Sequence, residues 1–344
     1  MLINSNDYFN VLNEIKSKIV EAQYRAVLGV NKELISLYWH IGQTIITNTK
    51  YGAKFIENLS RDIKTTFPDV KGYSISNLKY MRKFAETYPD FPKSQRVVDL
   101  LPWRNNITLM TKVNDDIARD WYINQNINNG WNNTVLVHHI ETKLYERQVI
   151  TDKTTNYERL LPSPFSDLAQ ETLKNPYVFD FIEKRTNLIE RGIERELIAN
   201  IAKTILELGT GFAFCGHQHE IVVSGKSYYL DLLFYNTKLR CYVVIELKNT
   251  DFKPEYAGKL NFYLSAVDDI MKHEQDNPTI GIMLCKHRDK LTAEYALKDI
   301  NKPIGVSEYK LSDFVPSEFI NTLPTAEDIE KRIRMELDLP DNDE

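Results

Sequence analysis

Three charged residues interrupt two strongly apolar stretches in the second half of the sequence. Asp231 lies within residues 228–235, and Glu246 and Lys248 lie at the end of residues 241–248. Both stretches have the aromatic and branched composition of β-strands. Because side chains alternate across a strand, Glu246 and Lys248 are expected to share one face. A short turn between the strands would then bring Asp231 next to Glu246.

Two carboxylates beside a lysine are suited to hydrolysing a phosphodiester. Neighbouring buried carboxylates repel each other, and a hard divalent cation removes that penalty by binding their oxygens. Such a cation acidifies a bound water and stabilises charge on a phosphoryl oxygen, and an ammonium group can stabilise the same charge. The alternative is a salt bridge at a sheet edge beside a solvent-facing aspartate. These residue types alone leave both interpretations open.

A helix predicted over residues 189–208 adds a further carboxylate. Its apolar stripe places Glu194 on the face toward the sheet, whereas Glu196 and Glu207 fall on a polar face. Glu194 is therefore the preferred site candidate. A glutamate that only favours the start of the helix dipole is the alternative.

Two further groups of residues could contact a substrate. Gln218 lies between two histidines in residues 215–219, a spacing that matches no closed zinc pattern and favours packing or substrate contact. Lys259 and Tyr263 stand one turn apart in a helix predicted over residues 254–268. They could contact a phosphate backbone, or they could be a surface lysine and a core tyrosine.

The first half of the sequence is predicted to be helical. Apolar residues recur at helical spacing in residues 7–28, 32–50 and 53–67, and Gly29 is the predicted stop between the first two helices. A turn rich in helix breakers follows at residues 68–73.

The next helix is predicted to begin at Ser74 or Ser76 and to reach about Tyr88. A helix, a turn and a capped basic helix outline a helix-turn-helix, whose second helix enters the major groove of DNA. Two packed helices with a solvated basic face are the alternative. The candidate DNA-contacting residues on this helix are Asn77, Lys79, Arg82 and Lys83.

Composition limits the class of protein. The 344 residues predict about two domains, with 42% hydrophobic and 26% charged residues as in ordinary globular chains. No apolar run approaches the roughly 18 residues needed to cross a bilayer, and the first residues do not resemble a signal peptide. Three cysteines without a CxxC pair argue against a disulfide framework and a cysteine-rich zinc site. A reducing cytoplasm is the predicted compartment.

Charge and patterning suggest how the domains divide. Residues 1–150 carry 19 basic and 15 acidic side chains, and residues 151–344 carry 24 and 33. We predict a helical DNA-binding domain over 1–150, a linker leading into the second domain over 151–187, a catalytic domain over 188–335 and an acidic tail over 336–344. Helices alternating with strands in the third segment predict an α/β fold on a mixed sheet.

Longer sequence segments resemble the YhcG family of the PD-(D/E)XK nuclease superfamily. The resemblance covers roughly residues 10–335 and lies in GFAFCGHQHEI, YYLDLLFYNTKLRCYVVIELK and KPEYAGKLNFYLSAVDD in the second half. In the first half it lies in LYWHIG, ISNLKYMRKFAETYP, LPWRNNITL and VLVHHIETKLYER. It implies an N-terminal winged-helix-like DNA-binding domain and a C-terminal restriction-endonuclease-like core.

The resemblance also implies roles for individual residues. Asp231 and Glu246 would bind Mg²⁺, or Mn²⁺ in its place, assisted by the Leu247 carbonyl. Lys248 would be the catalytic lysine and Glu194 the helix glutamate. Some members carry a glutamine in the following helix where this sequence has Lys259, and that departure leaves the role of the helix open.

Two functional hypotheses follow from the residues and the resemblance together. The first is a Mg²⁺-dependent DNA endonuclease, linked to restriction–modification proteins or to DNA repair and recombination. Because cutting both strands of a duplex often needs two active sites, a homodimer is the expected assembly. The second hypothesis is a non-catalytic DNA-binding or assembly subunit that retains the nuclease fold. The complete set of Asp231, Glu246 and Lys248 favours the enzyme.

Overall fold

The chain folds as two compact units, Met1–Tyr145 and Glu146–Glu344, called here the helical unit and the sheet unit. The computed structural model describes residues 5–48, 54–91, 98–184 and 189–312. The predicted acidic tail, residues 336–344, lies outside these ranges. None of the helices within them combines the length and the apolar character that crossing a membrane requires.

The regular structure described in the helical unit is helical, as predicted. Helix α3 begins where the sequence indicated, because the Ser74 hydroxyl accepts a hydrogen bond from the Asn77 backbone N–H. Leu78 and Met81 of α3 are buried against Tyr38 of the first helix. The helices are α1 Ser5–Thr47, α2 Phe55–Thr66, α3 Ile75–Thr87, α4 Trp103–Lys112, α5 Asp116–Asn129 and α6 Asn133–Glu141.

The prediction that Gly29 ends a helix is wrong. Helix α1 runs through it as one helix of 43 residues. A glycine ends a helix by adopting a positive φ, as Gly130 does after α5 with φ +63°. Gly29 is not among the glycines of positive φ.

The winged-helix detail is not confirmed. Eight residues, 67–74, separate α2 from α3, which is longer than the three- or four-residue turn of a helix-turn-helix. The described part of this unit also contains no β-strand that could form a wing.

The sheet unit is built on a mixed sheet, as predicted. The described strands follow the order β1-β7-β6-β5-β4-β3, and β2 pairs with the end of β7. Strand β5 lies between antiparallel β4 and parallel β6. The strands are β1 Thr154–Thr155, β2 Tyr177–Glu183, β3 Phe212–Val223, β4 Lys226–Asn236, β5 Cys241–Lys248, β6 Ile280–Cys285 and β7 Ile304–Ser312.

Helices cover both faces of this sheet, so strand β5 is buried on both sides. Ile245 and Leu247 pack with Leu197 in one apolar cluster, and Val244 packs with Leu260 in the other. Side-chain alternation therefore sends Glu246 and Lys248 to the second face. The helices are α7 Tyr157–Leu160, α8 Phe165–Thr172, α9 Glu190–Ala199, α10 Ile201–Leu208, α11 Pro254–Ile270 and α12 Lys290–Leu297.

Most of the segment predicted as a linker belongs to the folded sheet unit. Residues 154–183 contain two helices and two strands, and both strands pair with β7. Strand β3 is continuous over 12 residues, with an irregularity between Phe214 and Gly216.

The helix predicted over residues 189–208 is broken into α9 and α10. Asn200 lies between them with φ −112° and ψ 39°, which is not a helical conformation. The break changes which side chains face the core, so the placement of Glu207 on a polar face is wrong. Glu207 is only 1% exposed.

The buried Glu207 is the centre of a charged cluster formed with Arg147 and Lys174. Glu207 Oε1 accepts hydrogen bonds from an Arg147 guanidinium nitrogen at 2.5 Å and from the Val178 backbone N–H at 2.9 Å. The Lys174 ammonium lies 3.9 Å from Glu207 Oε2 and donates to the Glu207 carbonyl. Burial lowers the pKa of Lys174 to about 8, against the raising effect of Glu207. This cluster ties α10 to the segment that precedes β2.

Candidate active site

The three charged residues of the two central strands meet where β4 separates from β5. The last paired positions at this end are Leu232 and Ile245, and Asp231 and Glu246 come one residue beyond them. Lys248 Nζ lies 3.0 Å from Glu246 Oε1, as expected for two residues on one face of a strand. The structure therefore brings together the set singled out in the sequence.

Asp231 is held by groups from two other strands. Its Oδ2 accepts the Leu247 backbone N–H at 2.9 Å, and its Oδ1 lies 3.3 Å from the amide nitrogen of Gln218. The side chain is 8% exposed. Burial and the charge of Glu246 raise the pKa of Asp231 to about 7, although the Leu247 N–H and the nearby lysines lower it. An added positive charge would relieve this cost.

The two carboxylate oxygens of Glu246 have different surroundings. The residue is fully buried, and Oε1 takes two ammonium groups: Lys259 Nζ at 2.5 Å and Lys248 Nζ at 3.0 Å. Oε2 is also buried, and no donor from the described residues reaches it. A buried carboxylate oxygen without a partner is costly and indicates that a cation or a water binds there.

Lys248 is fixed by a glutamate that the sequence analysis did not single out. Its Nζ donates to Glu190 Oε1 at 2.8 Å and to the Leu247 carbonyl at 2.8 Å. Burial lowers the pKa of Lys248, but Glu246 and Glu190 outweigh burial and raise it, so the ammonium stays charged. Glu190 lies one helical turn before Glu194, and that spacing was the signal that could have identified it.

Glu194 and Gln218 form the opposite wall of the site. Glu194 is buried, and both of its carboxylate oxygens accept from the Gln218 amide, at 2.9 and 3.0 Å. Gln218 has a φ of +43°, a conformation that is unfavourable for a residue with a side chain. Its amide thereby connects Glu194 to Asp231.

Part of this group of side chains lines a cleft of about 340 Å³ in the sheet unit, whereas Glu246 and Lys248 are not among its lining residues. Lys259 and Tyr263 both line it, and Lys259 Nζ lies 5.1 Å from the centre of the Tyr263 ring. Tyr263 is only 5% exposed, so its ring is mainly a wall of the cleft. The remaining lining residues are Glu190, Arg191, Glu194, Gln218, Ser227, Tyr228, Tyr229 and Asp231.

The donor set fits a hard divalent cation such as Mg²⁺. Glu246 offers Oε2, which has no donor in the part of the chain that the structure describes. Asp231 offers a carboxylate oxygen facing Gln218, and Leu247 its carbonyl. Within the described ranges, no three His, Cys, Asp or Glu side chains are arranged around one metal position. Mg²⁺ commonly binds through one or two carboxylates and keeps several waters, so two carboxylates suffice.

The basic helix of the helical unit presents fewer free groups than the sequence suggested. Asn77 donates its amide to the Gly72 carbonyl and accepts from the Trp103 indole at 2.7 Å. Arg82 forms an ion pair with Glu86 at 3.3 Å. Lys79 and Lys83 are exposed.

Comparisons with known families cover most of the chain. Residues 170–324 match the family described as the YhcG PDDEXK nuclease domain, and residues 14–147 match the DUF1016 N-terminal domain. The Escherichia coli (strain K12) protein named "Putative nuclease YhcG" is 28% identical over 341 residues, covering 88% of this chain and 90% of that protein.

Two solved structures show a limited likeness to this chain. They are an EndoMS complex with double-stranded DNA and a repair endonuclease from Pyrococcus abyssi. Their sequence identities are 16% and 14%, and their TM-scores are 0.27 and 0.25. Each match covers 38% of this chain and about half of the other chain, 47% and 50%.

Proposed function

Because the chain belongs to the YhcG family and carries its PDDEXK nuclease domain, we propose that it is a Mg²⁺-dependent DNA endonuclease. The observation that carries the proposal is Glu246, whose Oε2 is buried beside Asp231 and Lys248 and is reached by no donor within the described ranges. A carboxylate pair with one unsatisfied oxygen and a fixed ammonium suits metal-assisted hydrolysis. Mn²⁺, which also accepts oxygen ligands, is expected to substitute for Mg²⁺.

The proposed reaction adds a water to a DNA phosphorus atom and breaks one ester P–O bond, with a proton passing to the leaving oxygen. Mg²⁺, when bound, acidifies the water and stabilises charge on the phosphoryl oxygen. Asp231 and Glu246 would hold the ion, together with the Leu247 carbonyl. Lys248 would stabilise charge on the phosphate, since Glu190 and Glu246 keep it protonated and in place.

Other residues would position the DNA and the carboxylates. Gln218 would orient Glu194 and Asp231 through its amide, and Lys259 would attract the phosphate from the cleft wall. In the helical unit we propose that Lys79, Lys83 and Arg82 contact phosphates, which would bind DNA without reading its sequence. Asn77 would support the phosphate contacts of the helical unit, where the Trp103 indole holds it in place. Tyr263 would support those of the cleft, where its ring is buried.

The proposal extends to assembly and biological role. Each chain has one such cleft among its described residues, and cutting both strands of a duplex uses two, so we propose a homodimer. A DNA endonuclease of this family would act with restriction–modification proteins or in DNA repair and recombination. Analytical ultracentrifugation of the purified chain, with and without DNA, measures whether it is a homodimer.

The test of the enzymatic function is a cleavage assay with matched variants. The purified full chain is incubated with supercoiled, linear, single-stranded and branched DNA in Mg²⁺, Mn²⁺ or EDTA. Lys248→Ala and Asp231→Asn should abolish cutting while their circular dichroism stays that of the native chain. Lys298→Ala, which removes an exposed lysine from the end of α12, is the control and should cut normally. Cutting that survives both active-site changes, or that proceeds in EDTA, contradicts the proposal.

A non-catalytic DNA-binding subunit is the second candidate. The observation that favours it is the Lys259 ammonium 2.5 Å from Glu246 Oε1, which already neutralises one carboxylate. It predicts salt-sensitive DNA binding without cutting under any metal condition. The same assay, read together with a DNA-binding measurement, separates the two functions.

A further inference from the structure

Glu246 receives ammonium groups from two different elements. Lys248 comes from its own strand, and Lys259 comes from α11, which packs on that face of the sheet. Both ammoniums reach Oε1, and Oε2 receives no donor from the described residues. One half of the carboxylate is therefore neutralised by the protein itself, and the other half is free to bind a cation.

Lys259 brings a positive charge directly to this carboxylate. A lysine ammonium is charged at neutral pH, and Lys259 Nζ lies 2.5 Å from Glu246 Oε1. Its side chain is 43% exposed, so the ammonium reaches the buried carboxylate from the solvent side of the cleft. A cation approaching Oε1 from the cleft would meet this ammonium first.

The charges around the cleft balance with one divalent ion. Four carboxylates and two ammoniums are joined by the contacts described above, which leaves a net charge of −2 when all are ionised. The exposed Arg191 at the cleft wall is not part of these contacts. The six groups are Glu190, Glu194, Asp231, Glu246, Lys248 and Lys259.

We infer that Lys259 is a built-in cation that takes the place of a second metal ion, so that each chain binds a single divalent cation through Glu246 Oε2 and Asp231. The inference rests on the proposed metal-dependent function and specifies its metal stoichiometry. Toward the metal ion, Lys259 acts through Glu246 and is a positioning residue.

The inference predicts the sign of a change in metal affinity. Removing the Lys259 charge should tighten metal binding, because a positive charge beside the same carboxylate repels the ion. A lysine that only held Glu246 in place would have the opposite effect, since its loss would loosen the ligand and weaken binding. The direction of the change therefore separates the two roles.

The experiment is a titration of the full chain with Mg²⁺ and with Mn²⁺, without nucleic acid, by isothermal calorimetry. Mn²⁺ binding is also counted by electron paramagnetic resonance. The variants are Lys259→Gln, Lys259→Met as a second neutral side chain, and Lys259→Arg, which keeps the charge. Lys253→Gln, an exposed lysine at the start of the same helix, is the control. Thermal unfolding verifies that each variant is folded.

The expected result is one Mn²⁺ per native chain, and binding at least about tenfold tighter, or a second ion, in a folded neutral variant. Lys259→Arg and Lys253→Gln should bind like the native chain. Two ions on the native chain, or equal or weaker binding in the neutral variants, overturns the inference and leaves metal-dependent cleavage standing. If no protein binds either metal at millimolar concentration, the inference and the proposed metal-dependent function both fail.

Discussion

Replacing Glu207 by alanine should destabilise the sheet unit strongly. The change removes the carboxylate that pairs with Arg147 and Lys174 and leaves these two cations buried near each other. Lys174, with a pKa of about 8, can lose its proton, but a guanidinium remains charged at any ordinary pH. Breaking a buried ion pair by removing one partner costs about 3–5 kcal/mol. For a unit of this size that corresponds to a fall in melting temperature of about 6–20 °C.

The assay can assign this loss to one unit, because the four tryptophans all lie in the helical unit. They are Trp39, Trp103, Trp121 and Trp131. Calorimetry of Glu207→Ala should show one transition at lower temperature, whereas the transition followed by tryptophan fluorescence should stay in place. Glu196→Ala, on the less buried surface of α9, is the control and should change neither transition by more than about 0.5 kcal/mol.

A double-mutant cycle tests the physical reason for the loss. Changing Arg147 to methionine together with Glu207 to glutamine should cost less than the sum of the two single changes, since the buried charge and its partner are removed together. A loss below about 1 kcal/mol for Glu207→Ala, or full additivity in the cycle, would refute the reasoning.

Two further predictions concern packing and pH. Gly42→Ala should destabilise the helical unit by about 1–3 kcal/mol, because the added Cβ would overlap the Met81 carbonyl and approach Ala85 Cβ to 2.8 Å. Gly29→Ala, in open space on the same helix, should stabilise it by about 1 kcal/mol; tryptophan fluorescence in urea measures both, and equal effects would contradict the prediction. The stability of the sheet unit should rise from about pH 7.5 to pH 9, because burial lowers the pKa of Lys153 and Lys174 from 10.5 to about 8, so the unfolded chain binds more protons there. At higher pH the stability of the sheet unit should fall, because burial raises the pKa of Cys241 and Cys285 from 9.0 to about 12, so the unfolded chain loses these protons first. Calorimetry from pH 7.5 upward measures both changes. A steady decline in stability from pH 7.5 would contradict the prediction.

The central strands and the site on them were predictable because their signals are local. Alternation within β5 placed Glu246 and Lys248 on one face, and the short turn after β4 brought Asp231 beside them. The start of α3 was predictable for the same reason, since its cap is a single serine three residues from its partner. A pattern of a few residues contains all the information that these features need.

The elements that the sequence analysis missed depend on distant partners. Strand β1 has two residues, and its partner in β7 lies about 150 residues away in the chain, so no local pattern indicates it. The burial of Glu207 depends on Arg147, 60 residues earlier. Likewise, the contact of Lys259 with Glu246 follows from the packing of α11 on the sheet and not from the spacing of residues in α11.

Strand β7 also determines when the sheet unit can be completed during synthesis. Its first residues pair with β6 and β1, and its last residues pair with β2. These three strands are synthesised earlier, so their pairing is incomplete until residues 304–312 have been added. Contacts between such distant parts of a chain form slowly, and a ribosome releases the N-terminal parts first. Asp231 and Glu246 emerge more than fifty residues before this last described strand. A chain cut short before residue 304 would leave one edge of β6 unpaired, and an exposed strand edge favours aggregation. The carboxylates of the candidate site are therefore synthesised before the strand that protects their sheet.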